Sequence, residues 1–341
     1  MRSLWRRPIV VAPMGGGPST VGLVVAATEN GALAFLAGAY KSVEAIVTEI
    51  GAVRRATPEP FGVNVFVPGS PSVDADRVAD YLMSLDGDAR TLGTSLGDPC
   101  WDDDHWGAKI EALLAAAPPI VSFTFGCPER EVVQAFHAKG VLAAVTVTDA
   151  EEARIAEASG ADCLCVQGVE AGAHRGHFTN KLRTGTGLGV RELVREIARG
   201  TELPLIAAGG ISRAEDVAAV LRAGAVAAQC GTAFLRSAES GAHPAHKDAL
   251  VDPRFSETAL TRSFSGRPAR GLVNRFVLEH PDAPAAYPEI NNATRPLRAA
   301  AAAAGDTDRM SLWAGTGFRQ ATSRFAGEII DDLAAAPLTR C

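Results

Sequence analysis

Eight short apolar runs recur along the first two-thirds of the chain, at residues 9–14, 32–38, 61–67, 120–126, 141–147, 163–168, 204–210 and 225–231. Helix-patterned segments separate them, including 42–56, 129–139, 150–159, 190–198 and 214–223. Strands that are apolar along their whole length need cover on both faces, as in a parallel sheet flanked by helices. Three of the helical segments end in Gly140-Val141, Gly160-Ala161 and Gly224-Ala225. Glycine there suits a left-handed helix C-cap. The polar and glycine-rich signatures follow the strand ends one after another: Ala12-Pro13-Met14-Gly15, Asn64, Gly126-Cys127-Pro128, Gln167 onward, Gly209-Gly210 and Gly231-Thr232. An open doubly wound sheet collects such groups at one switch point, whereas a closed barrel spreads them around its C-terminal rim. The expected fold class is therefore α/β, a (β/α)8 TIM barrel spanning residues 1–235.

The texture changes after the eighth run. Residues 236–310 lose the alternation, carry many Pro, Asn and Arg residues, and end near an alanine run at 299–304. They are expected to form a smaller lid domain inserted over the barrel mouth. In residues 311–341, Phe325, Ile329, Ile330 and Leu333 have helical spacing, so this segment is expected to pack back on the barrel. A length of 341 residues, 47% of them hydrophobic, supports a core of that size. The net charge of −6 argues against a nucleic-acid partner, because phosphate binding needs clustered Lys and Arg. Cys100, Cys127, Cys163, Cys165, Cys230 and Cys341 form no CxxC pair or zinc array, which fits reduced thiols in a cytoplasmic protein. Arg2, Arg6 and Arg7 precede an apolar run that Pro13 and three glycines break at once, too short for a signal peptide or a membrane span.

Two stretches carry chemistry. Ala208-Gly209-Gly210-Ile211-Ser212 opens a helix after the seventh strand, and Gln229-Cys230-Gly231-Thr232 follows the eighth. Glycines let backbone N–H groups approach an anion, and these two barrel loops commonly bind phosphate. A tight turn with Ser212 as N-cap is the plainer alternative. Gly185-x-Gly187-x-Gly189 follows no strand and reads as a loop. At the end of the sixth strand, Gln167 to Gly176 sets His174 on a small-residue loop at the catalytic rim, with Glu170 and His177 nearby. An imidazole is well suited to take a proton near neutral pH. His174-x-x-His177 lacks a third ligand, so no metal is expected.

These residues resemble the nitronate monooxygenase family, formerly called 2-nitropropane dioxygenases. The resemblance rests on Ala12 to Gly16, Gly62 to Phe66, Val121 to Gly126, Gln167 to Gly176, Ala208 to Gly210 and Gln229 to Thr232, and it resumes at Thr261 to Gly271 and Leu312 to Gly315. It implies FMN at the barrel mouth, contacted by Asn64, Gln167, Gly172, Gly209, Gly210, Gln229, Cys230, Gly231 and Thr232, with Ala12, Pro13 and Met14 beside the isoalloxazine ring. It implies His174 as the base that removes a proton α to a nitro group. Small nitronates or nitroalkanes and O2 are the implied partners, and a carbonyl compound and nitrite the products. The chain departs from the family at Thr124, where many relatives carry His, and around residues 287–298, where some have a Tyr- and Lys-bearing substrate wall. Arg262, Arg267, Arg270 and Arg275 are expected to make inter-domain or solvated ion pairs rather than to bind an anion. An FMN-dependent enoyl-thioester (enoyl-ACP) reductase, an NAD(P)H:quinone reductase and a flavin- or phosphosugar-binding barrel without turnover remain alternatives. Monomer and homodimer are both left open.

Overall fold

A computed structural model describes residues 4–71, 74–180 and 187–335. Its strands are β1 (Ile9–Val11), β2 (Leu33–Ala37), β3 (Gly62–Phe66), β4 (Ile120–Thr124), β5 (Leu142–Val147), β6 (Cys163–Gln167), β7 (Ala173–His174), β8 (Leu205–Ala208), β9 (Ala227–Cys230), β10 (Thr258–Thr261) and β11 (Ala269–Leu272). All eight expected strands pair in parallel in the order β1-β2-β3-β4-β5-β6-β8-β9, and β9 closes on β1 through Ile9↔Ala228 and Val11↔Cys230. The fold is a TIM barrel. Strand ends fall short of the apolar runs for local reasons. Pro13 has no N–H to offer a ladder, and Gly209 and Gly210 turn out of β8 at φ +120 and +67. Gly140, Gly160 and Gly224 take φ of 71, 99 and 117, the left-handed caps that their positions require.

Alternate residues of a strand face opposite ways, so the barrel sorts its sequence into two shells. Ile9, Val11, Val63, Val65, Val121 and Phe123 point outward into the layer under the helices. Val10, Phe35, Ile120, Ala144, Cys163, Ile206 and Ala227 point inward and fill the floor. β3 contributes no side chain at that level. A Cβ at Gly62 would lie 2.2 Å from Phe35 Cε1, so the phenyl ring occupies the glycine's place.

The eighth helical position is filled from far along the chain. The helix Ala326–Ala334 packs against Val21–Glu29 on one side and Ala214–Arg222 on the other, completing the helical wall. Ile329, Ile330 and Leu333 join the main core, as their spacing suggests. The chain between β9 and this helix contains features the sequence did not reveal. β10 and β11 form an antiparallel pair, β7 adds to β11, and the alanine run is the end of a helix, Glu289–Ala304. Pro296 inside that helix hides it from pattern reading. The β3 connection also takes part. Helices Ala75–Ser84 and Asp86–Thr91 place Val78, Tyr81, Leu85 and Ala89 in one cluster with Phe264, Phe276, Ile290 and Leu297.

Asp88 staples this cluster. Its Oδ1 accepts from Arg309 Nε at 2.6 Å and Arg275 Nη2 at 3.1 Å, while Oδ2 lies 2.9 Å from His280 Nε2. Burial opposes the charge, but the His280 and Arg309 hydrogen bonds outweigh it and hold the carboxyl below its usual range. Among the described residues, no helix is long and apolar enough to cross a membrane.

Removing a buried ion's partner costs about 3–5 kcal/mol. Asp88→Ala is therefore expected to lower the urea-unfolding free energy by that amount, and a change within about 0.5 kcal/mol of zero would show that the staple carries no stability. Ile330→Ala, at a fully buried position, is expected to cost about 2–5 kcal/mol. A surface-like effect there would contradict the role of Ala326–Ala334 in the barrel wall.

Candidate active site

Continuing up the inward face toward the strand C-termini, the side chains become polar. Asn64, Ser122, Thr124, Thr146, Cys165, Gln167 and Gln229 follow the apolar floor at the two-residue period of β3, β4, β5, β6 and β9. They bond laterally. Asn64 Nδ2 donates to Ser122 O at 3.1 Å, to Ser122 Oγ at 2.9 Å and to Thr124 Oγ1 at 3.1 Å. Thr124 and Thr146 hydroxyls lie 3.2 Å apart, and Gln229 Nε2 donates to Cys165 Sγ at 3.2 Å. Asn64 and Gln229, singled out separately in the sequence, thus belong to this polar surface, and Gln167 stands one step further along β6, where it bonds His174 O and Gly176 N. Thr124 takes its place in that surface's hydrogen-bond chain. Cys163, Cys165 and Cys230 are buried free thiols, and burial pushes Cys165 and Cys230 up to about 12.

At one side of the mouth the backbone is left open. The N–H groups of Gly210, Gly231 and Thr232 donate to no protein acceptor among the described residues. They stand at the ends of the adjacent strands β8 and β9 and at the start of the turn Thr232–Phe234. Thr232 Oγ1 accepts from Gly315 N at 2.9 Å. A Cβ at Gly172 would lie 2.5 Å from Gly315 N and 2.6 Å from Ala314 C, so the returning chain crosses directly over this glycine. Ala12, Pro13 and Met14 run alongside, with Ala12 N donating to Cys230 O at 3.0 Å and Met14 N to Ser19 Oγ at 2.9 Å. Gly185 lies outside the described residues. Gly187 abuts Val169, and Gly189 caps the helix Val190–Ile197, whose first N–H is held by Glu170.

His174 stands where the barrel meets the returning chain. Its residue pairs with Ala269 in the β7–β11 ladder, and Gln167 Nε2 donates to its carbonyl at 3.1 Å. Its Nε2 lies 2.9 Å from Ser265 Oγ. Phe125, Tyr287 and Trp313 surround the ring at centroid distances of 5.7, 5.7 and 5.6 Å. Burial, reinforced by Arg267 and Arg298, pushes the imidazole down to about 3, so it is uncharged at neutral pH. Its Nδ1 makes no hydrogen bond among the described residues. His177 turns away to Thr148 and Glu152, so the two histidines share no metal position. The ligating atoms of His177, Glu152 and Asp149 lie within 4.8 Å of one another, and that group excludes His174.

Several neighbours of His174 come from distant segments, and nothing in sequence linked them to it. Arg267 lays its guanidinium on the Phe125 ring at 3.8 Å, and burial pushes it down to about 10, still a cation at neutral pH. Tyr40 and Tyr287 hydroxyls are 2.9 Å apart. Tyr40 adopts a left-handed φ of 61, held by Asp104 accepting from its N–H at 3.1 Å, and Asp104 pairs with buried Lys109 at 2.7 Å. The expectation of ion pairs for the arginine cluster needs correction. Arg262 donates to Asn180 O, Arg267 to His177 O and Arg270 to Val169 O, so they grip backbone carbonyls of the rim loop, and Arg275 alone meets a carboxylate in Asp88. A rim loop that closes over a site offers carbonyls rather than side-chain anions, and a guanidinium's spread of donors suits them.

A sequence model described as nitronate monooxygenase matches residues 2–336. The Pseudomonas aeruginosa protein named nitronate monooxygenase is 38% identical over 96% of this chain and 95% of its own length. A Staphylococcus aureus (strain Newman) protein named probable nitronate monooxygenase is 34% identical, covering 96% of this chain and 93% of its own. The solved structure of a nitroalkane oxidase from Streptomyces ansochromogenes matches at a TM-score of 0.95 and 49% identity, over 97% of this chain and 96% of that one. With its barrel, its rim histidine and these full-length matches, the chain is an oxidoreductase that belongs to the nitronate monooxygenase family.

Proposed function

We propose that this chain is an FMN-dependent nitronate monooxygenase that oxidises alkyl nitronates with O2 to a carbonyl compound and nitrite. It takes nitroalkanes as well, with His174 as the general base. The observation that carries the reading is an imidazole held uncharged, its Nδ1 without a hydrogen bond among the described residues, at the rim of a polar barrel mouth and under the influence of two arginines.

The residues present fit FMN. Three N–H groups at the ends of β8 and β9, without an acceptor among the described residues, match an anionic phosphate, and the inward polar side chains of Asn64, Gln167 and Gln229 offer donors and acceptors to a flat heterocycle. The Ala12–Met14 segment runs beside these N–H groups, while the space beside Gly172 and Gly209 is taken by the chain's own backbone and the Cys230 side chain faces outward into the core under the helices. When bound, FMN supplies the electron acceptance and oxygen chemistry that no side chain here provides.

The protein's part is acid–base and electrostatic. A free imidazole with a value of about 3 is a weak base, yet removing a proton from a nitroalkane creates a nitronate anion beside it. An opposite charge that close favours the imidazolium, and Arg267 and Arg298 stabilise the anion as it forms. Phe125, Tyr287 and Trp313 exclude water, which strengthens both effects. A substrate already ionised to the nitronate needs no base. On it His174 has only a positioning role.

The purified protein is expected to carry, or take up, one FMN with visible flavin absorbance. A colourless protein that binds no FMN would overturn the reading, and rapid anaerobic NAD(P)H oxidation would point to a reductase. His174→Gln is expected to lower nitroalkane turnover by about 10²- to 10⁴-fold and turnover of preformed nitronates far less, both measured as oxygen uptake. Because the native value lies below the unfolded 6.5, His174 stays uncharged as pH falls from about 7 to 5. The kcat/KM for a neutral nitroalkane should therefore show no acidic fall from this group over that window, while stability declines as pH drops through about 6.5. A protonation step near 6.5 in that profile would contradict the environment described for His174.

A further inference from the structure

Ser265 has one hydroxyl proton and two acceptor lone pairs, and the structure places three partners around it. Arg267 O lies 3.1 Å from Oγ, Arg267 N 3.3 Å and His174 Nε2 2.9 Å. A carbonyl can only accept, and Ser265 is the single donor to Arg267 O among the described residues. A backbone N–H can only donate. The hydroxyl proton therefore goes to the carbonyl, and one lone pair receives the Arg267 N–H. The remaining lone pair faces His174 Nε2, which must then bring a proton of its own. The opposite assignment would turn the serine proton toward Nε2 and orphan Arg267 O in a turn where Ser265 and Arg267 are both buried.

We propose that Ser265 is a positioning residue that locks neutral His174 in its Nε2–H form, leaving Nδ1 as the atom that accepts the substrate proton. This rests on the reading of His174 as the base. The geometry is consistent from the other side, since Nδ1 makes no hydrogen bond among the described residues. The lock also fixes the ring's direction. The His174 backbone is pinned by Ala269 and Gln167, so a bond to Nε2 removes the remaining rotation of the side chain. The bond to the ring and the ladder partner of its backbone come from Ser265 and Ala269, in the segment that returns over the barrel. That same turn carries Arg267, whose charge helps keep the imidazole neutral. A short segment thus sets both which nitrogen holds the proton and how readily the other accepts one.

The direct test is two-bond 1H–15N correlation on histidine-labelled, FMN-loaded protein at neutral pH. The expected spectrum has His174 Nε2 protonated and Nδ1 bare, and a protonated Nδ1 in the wild type overturns the proposal without any variant. Ser265→Ala is expected to mix the two forms and lower kcat for a nitroalkane by about 10- to 100-fold, a part of what a positioned base contributes, with little change in KM. Its rate on a preformed nitronate should stay near wild type, and Ser265→Thr should restore most of the nitroalkane rate. An unchanged kcat and spectrum in Ser265→Ala would overturn the proposal, as would an equal loss on both substrates, the mark of general damage. Failure of the base reading is separable. In that case His174→Gln retains nitroalkane turnover whatever the spectrum of His174 shows.

Discussion

Closure of β9 onto β1 is the constraint from which the rest follows. Once eight parallel strands form a ring, every second residue must face inward, and the interior is filled by stacked layers of side chains. At the floor those residues are Val10, Phe35, Ile120, Ala144, Cys163, Ile206 and Ala227. One level up they are Asn64, Ser122, Thr146, Cys165 and Gln229, with hydrogen bonds passing between strands. The change from apolar to polar along a single inward face defines which end of the barrel can hold a polar ligand. It also explains why the floor is strict about volume. Gly62 exists there because Phe35 takes its space.

A barrel rim alone would leave His174 on a loop of small residues. Two antiparallel register pairs, Ala269↔His174 and Arg270↔Ala173, turn that loop into the edge of a second sheet. Arg262, Arg267 and Arg270 then clamp the neighbouring carbonyls. The histidine is therefore held by chain nearly a hundred residues away, and its environment is assembled from the β2, β4 and β6 rims and the returning segment. Such an arrangement links stability and chemistry. Arg267, one of the guanidiniums that grip the loop, also reinforces the burial that keeps the imidazole neutral. The desolvation of these guanidiniums is offset by carbonyl contacts and by the Phe125 ring under Arg267.

Much of this was legible in the order of residues. Parallel strands buried on both faces leave long apolar runs, so all eight were visible, and so were the glycine caps and the inward polar residues Asn64, Gln167 and Gln229. The helix Ala326–Ala334 showed its core face through Ile329, Ile330 and Leu333. What stayed hidden was whatever depends on distant contacts. Two-residue β7 is too short to have a pattern, and β10 and β11 are short strands without strict alternation. Pro296 and the alanine run masked a helix, and the partnership of Asp88 with Arg275, His280 and Arg309 spans roughly two hundred residues of chain.

By itself, then, the sequence determined the barrel, its polar end and the histidine at its rim, because each is written in local period and in residue type. Only the tertiary structure decided that His174 is uncharged, that Ser265 meets its Nε2, that Tyr40 reaches Tyr287, and that the arginines hold carbonyls instead of carboxylates. Burial, charge state and hydrogen-bond direction are properties of surroundings, and the surroundings of this imidazole come from five separate stretches of chain brought together only by folding.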